Sequence, residues 1–119
     1  MIKNLLAMGA LNGGIAVAAG AFGAHGLKDR LSQHSMEVFE TGVRYQMYHA
    51  LAILACAVIA TSGARTAGWL FQAGIVLFSG SLYLLALTET KWLGAVTPVG
   101  GLAFLAGWAA LAWSGLRNM

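Results

Sequence analysis

Apolar residues run along this chain in four long blocks separated by short polar links, with no strand-like alternation inside them. A helix that crosses the hydrocarbon core of a bilayer needs about 20 mostly apolar residues at about 1.5 Å each. Leu5 to Ala24, Val43 to Thr61, Thr66 to Leu87 and Pro98 to Leu116 meet that length. The first block holds no charge and one amide, Asn12. The second is lopsided: Ala50 to Ala60 is cleanly apolar but covers half a bilayer, so the span has to include Arg44, Tyr45, Gln46, Tyr48 and His49. The third contains Gln72, Ser79, Ser81 and Tyr83. The fourth opens with Thr97 as an N-cap and Pro98 in the first turn, where a missing N–H costs nothing. The pattern predicts an all-α fold, an integral membrane four-helix bundle forming a single domain.

The links between blocks constrain the topology. Ser62 to Arg65 and Thr88 to Thr97 are short, so consecutive helices run antiparallel. Residues 25–42 form the one long link. They carry Lys28, Asp29, Arg30, His34, Glu37 and Glu40 with Leu31, Val38 and Phe39 on one helical face. That pattern predicts an amphipathic interfacial segment between helices 1 and 2, a helix that runs on into the second span. Although Lys3 followed by an apolar run resembles a secretory signal, three further spans follow, which favours a first transmembrane helix.

Composition removes several alternatives. Hydrophobic residues make up 59% of the 119-residue chain and charged residues 9%, against roughly 25% charged in soluble domains. Mean hydropathy is +0.73. Seven basic residues against four acidic ones are scattered rather than gathered on one face, so no nucleic-acid partner is expected. The single cysteine, Cys56, lies in an apolar run and reads as a small hydrophobe. No CxxC, CxxCH or HExxH pattern occurs, so no metal, cofactor or catalytic site is expected.

Small residues recur at helical spacing. Gly9 and Gly13 form a GxxxG pair continued by Ala16 and Gly20, and Gly100, Gly101 and Gly107 mark the fourth span. Such residues let helix backbones approach closely in lipid. Trp69, Trp92 and Trp113 fall near the expected interfaces, as an aromatic belt requires. With four spans both termini share a side. Lys3, Arg65 and Arg117 lie there without an acid, while Lys28, Arg30, Arg44 and Lys91 lie opposite with all four acids. Lys and Arg set orientation, and if Arg44 sits inside the bundle and drops out of the count, the termini are expected in the cytoplasm.

Helix phase and depth point to candidate chemistry. Thr41, Arg44, Tyr45, Tyr48 and His49 share one face of the second span. Ser79, Ser81 and Tyr83 arrive in the same leaflet, as do His25 at the end of the first span and Thr97 at the start of the fourth. Polar side chains in lipid tend to face the interior or a wet cavity. An inward polar cluster of His25, Arg44, Tyr45, Tyr48, His49, Ser79, Ser81, Tyr83 and Thr97 is therefore expected in one leaflet, with Glu37 or Glu40 able to neutralise Arg44. The competing readings are structural: Arg44 snorkels to the headgroups, His49 makes an interhelical hydrogen bond, and the two tyrosines anchor at the interface.

Four segments carry a family resemblance: Ala21 to Leu27 (AFGAHGL), Thr41 to Ala50 (TGVRYQMYHA), Phe78 to Leu87 (FSGSLYLLAL) and Thr97 to Trp108 (TPVGGLAFLAGW). Together they resemble the small bacterial inner-membrane family typified by YgdD and YwdK, over nearly the whole chain and in that family's order. The resemblance implies a multi-span membrane protein of unknown function, without established catalytic residues. The expected role is a structural or accessory protein, not an enzyme, that self-associates as a homo-oligomer or joins a membrane complex and is surrounded by membrane lipids. The alternative is a binder or transporter of a small anion or lipid headgroup through the polar leaflet.

Overall fold

The computed structural model describes residues 1–117. Its helices are α1 (Lys3–Phe22), α2 (Gln33–Ile59), α3 (Ser62–Gly74), α4 (Gly80–Thr88) and α5 (Thr97–Arg117). A π-helical turn, Gly23–Leu27, prolongs α1. A second, Ile75–Ser79, joins α3 to α4 into one continuous span. A 3-10 turn, Lys91–Ala95, leads into α5. Four helices long and apolar enough to cross a membrane result: Lys3–Leu27, Gln33–Ile59, Ser62–Thr88 and Lys91–Arg117.

All four are longer than the apolar blocks, because backbone hydrogen bonding continues into the polar flanks. Ser32 accepts the Ser35 N–H at 3.1 Å and opens α2; Thr61 accepts the Ala64 N–H at 3.0 Å and opens α3. Thr97 is not such a cap. It lies within the helical run, donating to the Leu93 carbonyl at 3.4 Å. The hairpin between α2 and α3 is tighter than the sequence implies. Ala60, in the left-handed region at φ 59°, and Thr61 make the whole connection, and Ser62 to Arg65 is already helix.

The expected interfacial segment is the start of α2 itself. Ser32 caps a helix that runs unbroken from Gln33 into the membrane. Its apolar face packs on protein. Phe39 and Leu27 are buried against Ala86, with Leu31, Met36, Val38 and Tyr83 packed around them. Burying that face on the ends of the neighbouring spans is more favourable than leaving it at the headgroups.

The helices form a flat assembly, 50 × 26 × 18 Å across their Cα atoms. α1 packs mainly on α2, α2 on the third span, and α5 on α3 and the π turn that follows it. The central pair is the more buried, and much of α1 and α5 faces outward. One core fills the half near the termini: Leu5, Ile53, Cys56, Ala64, Ala67, Phe71 and Phe104.

Close helix approach rests on particular glycines. A Cβ on Gly100 would collide with the backbone of Leu77 and Phe78 in the π turn, and one on Gly74 with the ring of Phe104. A Cβ on Gly107 would come within 2.6 Å of Phe71, and one on Gly9 within 2.8 Å of Leu54 and 3.1 Å of the Ala50 carbonyl. Gly20 meets Val43 at an ordinary 3.4 Å. Gly13 differs from the expectation, with nothing within 4 Å of its Cβ position, and Gly101 meets only Phe78 at 4.0 Å. The contact face of α1 runs Leu5, Gly9, Asn12, Ala16, so the residue one past Asn12 turns away from α2.

Candidate functional site

The buried stripe of α2 contains Phe39, Gly42, Gln46, His49, Ile53 and Cys56. Steps of three and four residues keep these side chains over one another on one face. Gln46 thus enters the bundle at mid-span, at the level where α1 presents Asn12 and α3 presents Gln72. The contact of Gly9 with Ala50 and Leu54 brings α1 close enough for the amides to meet.

They form a continuous chain. The Tyr83 hydroxyl donates to Gln46 Oε1 at 2.6 Å, and Gln46 Nε2 donates to Asn12 Oδ1 at 3.1 Å. Asn12 Nδ2 donates to Gln72 Oε1 at 2.6 Å and to the Met8 carbonyl at 2.9 Å. The donor–acceptor sense is consistent throughout. Rotating the Asn12 amide alone would set its nitrogen against the Gln46 nitrogen and its oxygen against the Gln72 oxygen. The chain joins α1, α2, α3 and α4 through four side chains, and among the described residues no buried side-chain N or O atom lacks a partner.

Two hydroxyl contacts lie nearer the loop end. Ser79, fully buried, donates to the Gly42 carbonyl at 2.7 Å. Gly42 is also where a Cβ would strike the Tyr83 ring, at 2.9 Å. Ser81 and Thr97 share a hydrogen bond at 2.6 Å, tying α4 to the start of α5.

His49 forms a third, separate centre. Its ring lies 3.6 Å from that of Phe104 at an interplanar angle of 7°. Trp108 Nε1 donates to His49 Nε2 at 3.1 Å, and His49 Nδ1 lies 2.7 Å from the Tyr45 carbonyl. An indole N–H can only donate. Nε2 therefore carries the lone pair, and Nδ1 carries the proton given to the carbonyl. Both ring nitrogens are engaged, leaving neither for a metal or a substrate in this arrangement. Beside this centre, a recess of about 550 Å³ between α2 and α5 opens outward, lined by Tyr45, Phe78, Phe104, Leu105 and Trp108.

The nine residues expected as one cluster are thus distributed. Ser79, Ser81, Tyr83 and Thr97 reach the interior as members of different pairs. His49 is buried beside α5. Tyr45 and Tyr48 are exposed, 38% and 53%, with rings 5.6 Å apart on the outer surface. His25 is exposed in the π turn after α1. Arg44 is exposed and donates to the Thr41 hydroxyl at 3.3 Å, without an ion pair to Glu37 or Glu40 among the described residues. The correction is one of helix phase. The inward face of α2 lies about a third of a turn from the Thr41–Arg44–Tyr45–Tyr48 face, and His49 sits at the border of the two. Asn12, Gln46 and Gln72 were visible as polar members of their spans but not as a set. The signal was one uncharged amide near the centre of each of three consecutive helices. Trp108 is the hydrogen-bond partner of His49.

Among the described residues no group of three or more His, Cys, Asp or Glu side chains is placed to hold a metal ion. No solved structure matches the chain. A family model described as protein of unknown function (DUF423) matches residues 19–101. The chain is 50% identical over 113 residues to a UPF0382 membrane protein of Staphylococcus aureus, covering 92% of this chain and 93% of that one. It is 48% identical over 119 residues to a UPF0382 membrane protein of Staphylococcus epidermidis, covering 98% of each. To the UPF0382 membrane protein YwdK of Bacillus subtilis it is 45% identical over 123 residues, covering 99% and 100%. With similarity end to end and four membrane-length helices, this chain is a membrane protein that belongs to the DUF423 family, the one its motifs resemble through YwdK.

Proposed function

We propose that this is a non-enzymatic structural or accessory protein of the bacterial cytoplasmic membrane that self-associates or joins a larger membrane complex. The observation that carries this reading is the closure of the amide chain. The polar side chains that reach mid-membrane bond one another, with Tyr83, Gln46, Asn12 and Gln72 spent on holding four helix segments together. A transporter or a binder of small anions needs polar groups facing an open path, and these face each other. The outer sides of α1 and α5 supply surface for association in the membrane. Both termini lie in the cytoplasm on this reading, supported by Lys3, Arg65 and Arg117 at that end without an acidic side chain.

Native mass spectrometry of protein extracted gently from its own membrane tests the association. A homo-oligomer, or a defined complex with another protein, is expected. A bare monomer that stays monomeric when cross-linked in intact membranes would overturn it. Single cysteines placed at positions 3 and 91 of a Cys56→Ala chain test the orientation. An impermeant thiol reagent applied to intact cells is expected to label position 91 and spare position 3.

A further inference from the structure

The two ends of the bundle differ in charge. Asp29, Glu37, Glu40 and Glu89 all lie at the end where α1 finishes and α2 begins. The end that carries Lys3, Arg65 and Arg117 has no Asp or Glu side chain. At this cationic end, between α3 and α5, lies a cavity of about 490 Å³ lined by Thr61, Ser62, Thr66, Trp113, Ser114 and Arg117.

Its floor is built by close helix packing. Gly63 crosses Ser114 so tightly that a Cβ there would lie 2.5 Å from Ser114 Cβ. Thr61 and Ser114 share a hydroxyl hydrogen bond at 2.8 Å, and Thr61 also accepts the Ala64 N–H. Thr66 donates to the Ser62 carbonyl at 3.2 Å. Above this bonded floor, the Ser62 hydroxyl and the Arg117 guanidinium make no hydrogen bond or ion pair among the described residues. Both are donors. The guanidinium fork matches the spacing of two phosphate oxygens. Trp113 on the cavity wall and Trp69 on α3 are exposed at 63% and 51%. Tryptophans of this kind sit at headgroup level, which places the cavity where lipid phosphates lie.

We propose that this cavity binds a phosphate group, supplied by an anionic phospholipid or by free phosphate, with Arg117 and Ser62 donating to its oxygens and Trp113 alongside. Cations find no Asp or Glu side chain at this end. A zwitterionic headgroup brings an ammonium that meets no Asp or Glu side chain here, so a net anionic lipid is favoured over a zwitterionic one. The site lies at the opposite end of the bundle from the Arg44 face and does not depend on the accessory role.

The test compares wild type with Arg117→Gln, Ser62→Ala and, at the other end, Arg30→Gln. Phosphatidylglycerol or phosphatidylcholine of identical chains is titrated onto the detergent-solubilised protein and read by native mass spectrometry. Melting temperature reports the fold of each variant. Wild type is expected to retain phosphatidylglycerol about fivefold more tightly than phosphatidylcholine, the equivalent of one basic side chain at an anionic surface. Arg117→Gln should remove that preference, Ser62→Ala should reduce it, and Arg30→Gln should leave it. In a second arm, inorganic phosphate is added at constant ionic strength against chloride. If the lipids bind equally but phosphate raises the melting temperature of wild type and not of Arg117→Gln, the site stands and its source is solution. Equal lipid retention with no Arg117-dependent phosphate effect overturns the proposal. So does a preference that survives in Arg117→Gln, or one lost equally in Arg30→Gln.

Discussion

Two neighbouring faces of α2 carry polar residues at the same depth and use them in opposite ways. Gly42, Gln46 and His49 are buried: the Gly42 carbonyl accepts from Ser79 in the second π turn, Gln46 is bonded to α1 and α4, and His49 to α5. Arg44, Tyr45 and Tyr48 look outward, and Arg44 reaches no farther than Thr41 on its own helix. The outward face is richer in charge and aromatic hydroxyl, yet the uncharged Gln46 makes the connections between helices. An amide offers both a donor and an acceptor and carries no Born penalty, so it can be satisfied inside a membrane by another amide. A guanidinium has only donors and a fixed charge, and its long stem lets it return to the headgroups. In this bundle the interior selects the side chain that can be fully satisfied, not the most polar one.

Substitutions on and off the inner face sharpen the contrast. The largest effect is expected at Gly100, whose position against the Phe78 backbone leaves no room for a side chain. Gly100→Leu should cost about 3 kcal/mol, measured by denaturant titration in mixed detergent micelles. Gln46→Leu comes next. It strands the Asn12 oxygen and the Tyr83 hydroxyl, and should cost about 2 kcal/mol. Combined with Tyr83→Phe, the loss should be less than the sum of the two, since both remove the same bond; additivity would mean that the chain is not a network. Trp108→Phe keeps the packing on Phe71 and removes the donor to His49, for a loss of about 1 kcal/mol at most.

Outside the inner face the sign is expected to change. Gly13→Ala should stabilise by about 0.5 kcal/mol, because a methyl there meets nothing and lowers backbone entropy in the unfolded chain. A destabilisation seen only in the oligomer would show that another helix closes on that face. The smallest effect is expected at Arg44. Arg44→Gln should change stability by less than about 0.5 kcal/mol. A loss as large as that of Gln46→Leu would erase the distinction between the two faces.

Length and hydropathy made the four spans legible, because the bilayer imposes one requirement, about 20 apolar residues per crossing, that any sequence window can be checked against. The shortness of the link after Ala60 announced the α2–α3 hairpin, and Ser79 and Tyr83 were recognisable as interior candidates from the leaflet they share with the polar half of the second span. The Leu31, Val38 and Phe39 stripe of the long link announced an amphipathic helix running into the second span, but such a stripe looks the same whether lipid or protein covers it. Only the packing of Phe39 and Leu27 on Ala86 shows that protein does. Gly13 carried the same spacing signal as Gly9, and the rotation of α1 about its own axis decided between them.

The sequence by itself determined that this chain lies in a membrane as four antiparallel helices, with its Asp and Glu side chains at one end and only Lys and Arg among the charged side chains at the other. Those are properties of composition and order along the chain, fixed before any helix meets another. The tertiary structure alone decided which glycines touch a neighbour, which face of α2 turns inward, and that Asn12, Gln46, Gln72 and Tyr83 find one another. In lipid there is no hydrophobic gradient between the two sides of an apolar helix, so rotation is settled by close packing and hydrogen bonds between helices, and both exist only once the helices are together.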